Sequence, residues 1–244
     1  MRVKMLYQSS DPIRGLVIFL PQLFMALMFL YLAYKLLKRN KHRPTITLSL
    51  FYLVVAFGLI FNAILLLVRT FNPENIILIY ILYFLTSYPL IFSFIFLLTF
   101  IISILKLETT FTVKTQILIV LIYGIINVFV YLFPGGIFLE ESLGWRPVYS
   151  WIFSIFLYIF FTFSIVIPTL IYSSRLMRMF VAKDLKRRLR LFIFGIYGMY
   201  ITFYGAILYN TWQEPFYQTL WSILAFILMV TSAFFIYYGI GQNL

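Results

Sequence analysis

Very few residues in this chain are of the types that carry acid–base, nucleophilic or metal chemistry. Its 244 residues include seven Asp or Glu, one His and no Cys. Without cysteine there are no disulfides, thiolate nucleophiles, Cys-ligated zinc sites or iron–sulfur clusters. His42 sits in a run of cations, Lys38, Arg39, Lys41 and Arg43, and cannot build a His-based metal triad within one chain. The carboxylates Asp11, Glu74, Glu108, Glu140, Glu141, Asp184 and Glu214 all fall outside the apolar stretches. Proton pumps, most ion-coupled transporters and intramembrane aspartyl proteases need ionisable groups at membrane depth. This inventory speaks against them, and no catalytic residue, metal ligand or cofactor is expected.

The elements that must position the remaining polar residues are strongly apolar. Hydrophobic residues make up 64% and charged residues 11%, against roughly 45–50% and 25% in soluble domains. A helix rising about 1.5 Å per residue needs some 20 apolar residues to cross a hydrocarbon core of about 30 Å. Seven stretches meet that length: about 15–37, 46–68, 76–105, 115–133, 149–172, 191–212 and 217–239. Nothing alternates as barrel strands do. The expected fold is therefore an all-α membrane protein, a single seven-transmembrane-helix bundle over residues 1–244. The first apolar run is longer than a signal-peptide core and lacks a small-residue cleavage site, so it reads as span one.

Orientation follows from the cations. With the N-terminus outside, 14 of the 19 Lys and Arg fall on the inner side, and five of the seven acids fall on the outer side. The positive-inside rule then puts the N-terminus out and the C-terminus in. Trp145, Trp151, Trp212 and Trp221 cluster around the expected outer loops 134–148 and 211–219, while Tyr31, Tyr34, Tyr172, Tyr237 and Tyr238 suggest a matching inner belt. The basic charge, net +12, is explained by topology and by attraction to the anionic inner leaflet. Nucleic acid is not an expected partner. Covalent retinal is excluded too, because span seven contains no lysine for a Schiff base.

Within the spans, Gln22, Asn62 and Asn127 are amides that must find partners in lipid. Pro21, Pro89 and Pro168 each remove a backbone donor and kink a helix. Gly195, Gly198 and Gly205 mark span six for close packing, with Tyr197, Tyr200, Tyr204 and Tyr209 beside them. Tyr83, Thr86 and Ser87 of span three fall in the same outer half. An apolar pocket with a few polar groups is the usual small-ligand site. The candidate ligand-binding residues are Tyr83, Thr86, Asn127, Tyr200, Tyr204 and Trp221.

The segment 173–190 carries seven cations and one acid. Arg175, Arg178, Lys183, Lys186, Arg187, Arg188 and Arg190 are candidates for docking a cytoplasmic partner as well as for anchoring to lipid. Read as helix, Leu176, Phe180 and Leu185 continue an apolar face, and Asp184 is placed to cap span six.

One resemblance covers nearly the whole chain. A basic turn at 38–43 precedes an uncharged second span, and a Pro-bearing third span reads TSYPLIFSFIFLLTF over 86–100. A loop ends Gly144-Trp145-Arg146-Pro147-Val148-Tyr149, and a basic run KRRLRLFIFGIYG enters span six at 186–198. This layout resembles the N-terminal seven-transmembrane region of microbial sensor histidine kinases. The chain ends Gly239-Ile240-Gly241-Gln242-Asn243-Leu244 without the kinase module. The resemblance implies a stand-alone, non-enzymatic sensor of the cell membrane, binding a small apolar signal and passing it to a cytoplasmic signalling protein or a second copy. A carrier or channel for a neutral or lipid-like solute, or a structural subunit of a membrane complex, are the competing expectations.

Overall fold

The computed structural model describes residues 12–105, 111–140, 145–180 and 182–240, with side chains from residue 19 onward. Helices α1 (Pro12–Arg39), α2 (Arg43–Phe71), α3 (Ile76–Leu105) and α4 (Val113–Tyr131) come first. A two-stranded hairpin follows, β1 (Ile137–Glu140) and β2 (Arg146–Tyr149). Then come α5 (Trp151–Phe161), a π-helical turn (Thr162–Val166), α6 (Ile167–Met179), α7 (Lys183–Thr211) and α8 (Pro215–Gly239). Because α5, the π turn and α6 are continuous, the described residues contain seven helices long and apolar enough to span a membrane. We call the end carrying β1 and β2 the hairpin end, and the opposite one, with the α1–α2 and α6–α7 turns, the basic end.

Local chemistry sets the helix starts. Thr112 and Ser150 accept hydrogen bonds from the backbone N–H groups of Thr115 and Phe153, at 3.2 and 3.3 Å. Proline lies in the first two positions of α2 and α8, where its missing N–H costs nothing. Several helices overrun their apolar windows: α7 begins at Lys183, eight residues before the uncharged stretch, because charged residues still propagate a helix.

Three features differ from the sequence expectation. The 134–148 segment is not only loop: Ile137 pairs with Tyr149 and Glu140 with Arg146 in antiparallel register. Asp184 does not cap α7, whose N-cap is Ala182 with no side-chain bond, because the chain turns extended at Phe180 and restarts two residues before Asp184. That same break ends the supposed apolar face: Leu176 is buried, Phe180 half-buried and Leu185 exposed.

Two packing units make up the bundle. The α1–α2–α3 block is one; α7 paired with α8 is the other. Aromatic rings join them: Phe94 of α3 lies 4.9 Å from Phe161 of α5, Phe161 lies 4.3 Å from Phe203 of α7, and Phe100 of α3 lies 5.4 Å from Phe192 of α7. Each ring pair adds about 0.5–1.5 kcal/mol beyond area burial. In the α7–α8 seam, a Cβ at Gly195 would lie 2.8 Å from the Ser232 carbonyl and 2.9 Å from the Ile236 nitrogen. Those are backbone atoms that cannot rotate away, so glycine is what lets the helices meet. Gly205 likewise lies under the Trp221 indole.

Candidate functional site

Three polar constellations stand out against the apolar bundle. The first is at the hairpin end. The Arg146 guanidinium donates to Gln218 Oε1 at 3.1 Å, and Gln218 Nε2 donates to Gln213 Oε1 at 2.9 Å. This ties β2 to the start of α8 and to the α7–α8 turn. The Tyr149 and Tyr83 hydroxyls share a hydrogen bond, fixing the end of β2 to α3. Burial pushes the Tyr149 phenol up to about 12, while hydrogen bonds with Tyr83 and Asn210 pull the other way. Ser154 and Thr211 share a bond at 2.5 Å between α5 and α7.

The second lies midway along the fifth span. Pro168 has no N–H for the carbonyl of Ser164, four residues earlier, and the ladder there changes to a π turn with Ile167 N–H reaching Thr162 O. Hydroxyls from α7 bracket this break. Tyr204 and Thr162 share a hydrogen bond at 2.5 Å, and Tyr158 donates to the Tyr204 carbonyl at 2.9 Å. One turn on, Tyr200 donates to Thr169 Oγ1 at 2.7 Å. Three hydroxyl bonds therefore join α5, the π turn and α6 to successive turns of α7.

The third is at the basic end. Arg43 donates to Gln116 Oε1 at 2.7 Å, to Thr112 O at 3.0 Å and to Phe111 O, with its guanidinium 5.0 Å from the Phe111 ring centre. Gln116 in turn donates to Thr47 at 2.8 Å. Nearby tyrosines carry cations over their rings: Lys35 over Tyr31 and Tyr237, Lys38 over Tyr34, Arg175 over Tyr172.

The sequence candidates distribute over these features. Tyr200 and Tyr204 come together at the π turn, whereas Tyr83 pairs with Tyr149 at the hairpin end. Thr86 is buried on α3, and its hydroxyl has no partner. Asn127 is fully buried; its Nδ2 donates to Tyr88 O at 3.3 Å, but its Oδ1 has no donor. Trp221 covers Gly205, stacks near Tyr217 at 6.1 Å, and keeps a buried, unbonded indole N–H. Asn62 donates to Gln22 at 2.9 Å, joining α1 to α2. The basic candidates divide at the helix break: Arg175 and Arg178 are exposed on α6, while Lys183, Lys186, Arg187, Arg188 and Arg190 occupy the first two turns of α7.

Tyr149, Arg146, Gln218, Ser154 and Thr211 carry no comparable signal in the sequence, yet the fold brings them into these bonds. Four of them fall within the expected spans and only Arg146 in a loop, so their positions do not mark them as a group. In sequence Arg43 is only a topological charge, yet in the fold its guanidinium makes three hydrogen bonds. Among the described residues no group of His, Cys, Asp and Glu is arranged to hold a metal ion. Comparison with protein-family models, curated proteins and solved structures finds no match to the chain.

Proposed function

We propose that this chain is a receptor-like, non-enzymatic membrane sensor. A small, largely apolar signal is taken up in the outer half of the bundle, against a subset of Tyr83, Thr86, Asn127, Tyr200, Tyr204 and Trp221, which the fold does not gather at one point. Its binding re-pairs the tyrosine hydroxyls at the π turn, and the inner end of α6 moves. A cytoplasmic signalling protein reads the change at Lys183, Lys186, Arg187, Arg188 and Arg190. The observation that carries this reading is the π turn at Thr162–Val166, bracketed by hydroxyl bonds that can exchange partners without breaking a salt bridge. Such turns are weak points of a helix and are enriched at functional sites.

The absence of cysteine allows a clean test. Spin labels on Ile46→Cys and Met179→Cys, both exposed at the basic end, report the α2–α6 distance in nanodiscs. Two distance populations are expected in native lipid extract, and Tyr204→Phe should shift their ratio. A single narrow distance in native and synthetic lipid alike, unmoved by Tyr204→Phe, overturns the proposal. The same helix break would also serve a carrier. Protein-dependent flux of a neutral solute into sealed vesicles, blocked by restraining that distance, would favour the carrier instead.

A further inference from the structure

The face of α6 that turns away from the bundle changes character along its length. Leu170 and Ile171 are exposed and apolar, Ser174 follows one turn later, and Arg175 and Arg178 complete the same stripe. These five residues line one shallow depression on the surface. On the opposite face Thr169, Ser173 and Leu176 are buried against the bundle, which fixes the rotation of the helix. From residue 170 to 178 the rise is about 12 Å, the distance from the upper acyl chain to the phosphate of a phospholipid.

We propose that this stripe is a discrete site for one anionic phospholipid, distinct from any diffuse attraction of the basic end. The acyl chain lies along Leu170 and Ile171. The lipid phosphate sits between the guanidiniums of Arg175 and Arg178, which are neighbours three residues apart on one helix face. Ser174 donates to the headgroup. Arg175 is held with its guanidinium 5.8 Å from the Tyr172 ring centre, and a guanidinium fork suits phosphate oxygens. An acidic protein segment fits less well, because half of the stripe is apolar and belongs to a helix long and apolar enough to be in the membrane. The proposal goes beyond sensing and does not depend on it.

The test is native mass spectrometry of the full chain in detergent, titrated with phosphatidylglycerol or phosphatidylcholine of identical acyl chains. One phosphatidylglycerol should be retained about tenfold more tightly than phosphatidylcholine. R175Q/R178Q should erase that preference. K183Q/R187Q/R188Q, which removes more charge from the same end, should preserve it. Equal loss in both variants, or no preference in the native chain, overturns the site in favour of a diffuse field. Glycerol phosphate should not displace the lipid; competition at equal concentration would make a soluble phosphate the ligand and overturn the lipid assignment. A second reading keeps both arginines. A fluorophore on Ile171→Cys should be quenched by phosphatidylglycerol brominated in its acyl chains, at concentrations where the brominated phosphatidylcholine has no effect. Equal quenching by both lipids overturns the proposal.

Discussion

The α2–α4 contact at the basic end and the α5–α7 contact at the π turn join helices by opposite means. In the first, one guanidinium gathers two carbonyls, an amide oxygen and an aromatic face. Every partner is fixed by the start of a helix or by the turn before it, so no alternative arrangement offers the same bonds. In the second, neutral hydroxyls meet across a helix whose own ladder has slipped. A hydroxyl can donate or accept and rotates to suit, so its partners are exchangeable at little cost. The bundle therefore holds α4 with a lock and α5–α6 with a latch, and movement belongs on the latch side.

The lock should be the costlier to break. Arg43→Met leaves the Gln116 amide oxygen and the Phe111 carbonyl without their donor, and about 2–3 kcal/mol of stability should go with them. The thermal midpoint in detergent is expected to fall, and hydrogen exchange should rise through the first turns of α4. Arg43→Lys should recover less than half of the loss, because an ammonium cannot span the three acceptors as a planar fork does. An Arg43→Met midpoint equal to the native one would mean that the lock holds nothing.

Alkaline titration probes the hairpin end, which is built like the latch. Tyr149 ionises near 10 in an unfolded chain and near 12 in the fold. Between those values the folded state keeps a proton that the unfolded state has lost. Its contribution is thus complete below pH 10 and is lost as pH rises towards 12. Unfolding monitored from pH 8 to 12 should show this decline, and Tyr149→Phe should make it shallower. A decline of the same slope in Tyr149→Phe would assign it to other groups.

The latch should yield less. Thr162→Val removes one hydroxyl bond from α5–α7, with an expected cost of about 0.5–1.5 kcal/mol. Hydrogen exchange should rise around the π turn and leave α4 unchanged. A rise spread evenly over both contacts would erase the distinction between lock and latch.

These two contacts were unequally legible in the sequence. The seven apolar stretches needed only length and composition, since the cost of unpaired backbone in lipid leaves little choice but helices. Pro168 marks a kink in the fifth span, and span six is rich in tyrosine. That the break becomes a π turn, and that Thr162 and Thr169 face those tyrosines, depends on helix rotations that no single-span pattern encodes. Arg43 was invisible as a lock because its partners lie about 70 positions away, and in sequence a cation beside a span is indistinguishable from one that only marks topology. The hairpin is not legible in the sequence because its strands are four residues long, too short for alternation to register.

The smallest effect on stability carries the sharpest functional contrast. Asn127→Leu deletes the bond from Nδ2 to Tyr88 O, worth about 0.5–1.5 kcal/mol. It also deletes a fully buried carbonyl oxygen that has no donor, whose removal returns a desolvation cost of similar size. The two changes nearly cancel, so the thermal midpoint should move little or rise slightly. If that oxygen waits for the donor of a bound signal, the substitution should nonetheless abolish the two-distance behaviour of the basic end. A fold that tolerates leucine while the response disappears would mean that Asn127 is kept for binding. A clear fall in the midpoint with the response intact would return it to helix packing, alongside the Asn62–Gln22 pair.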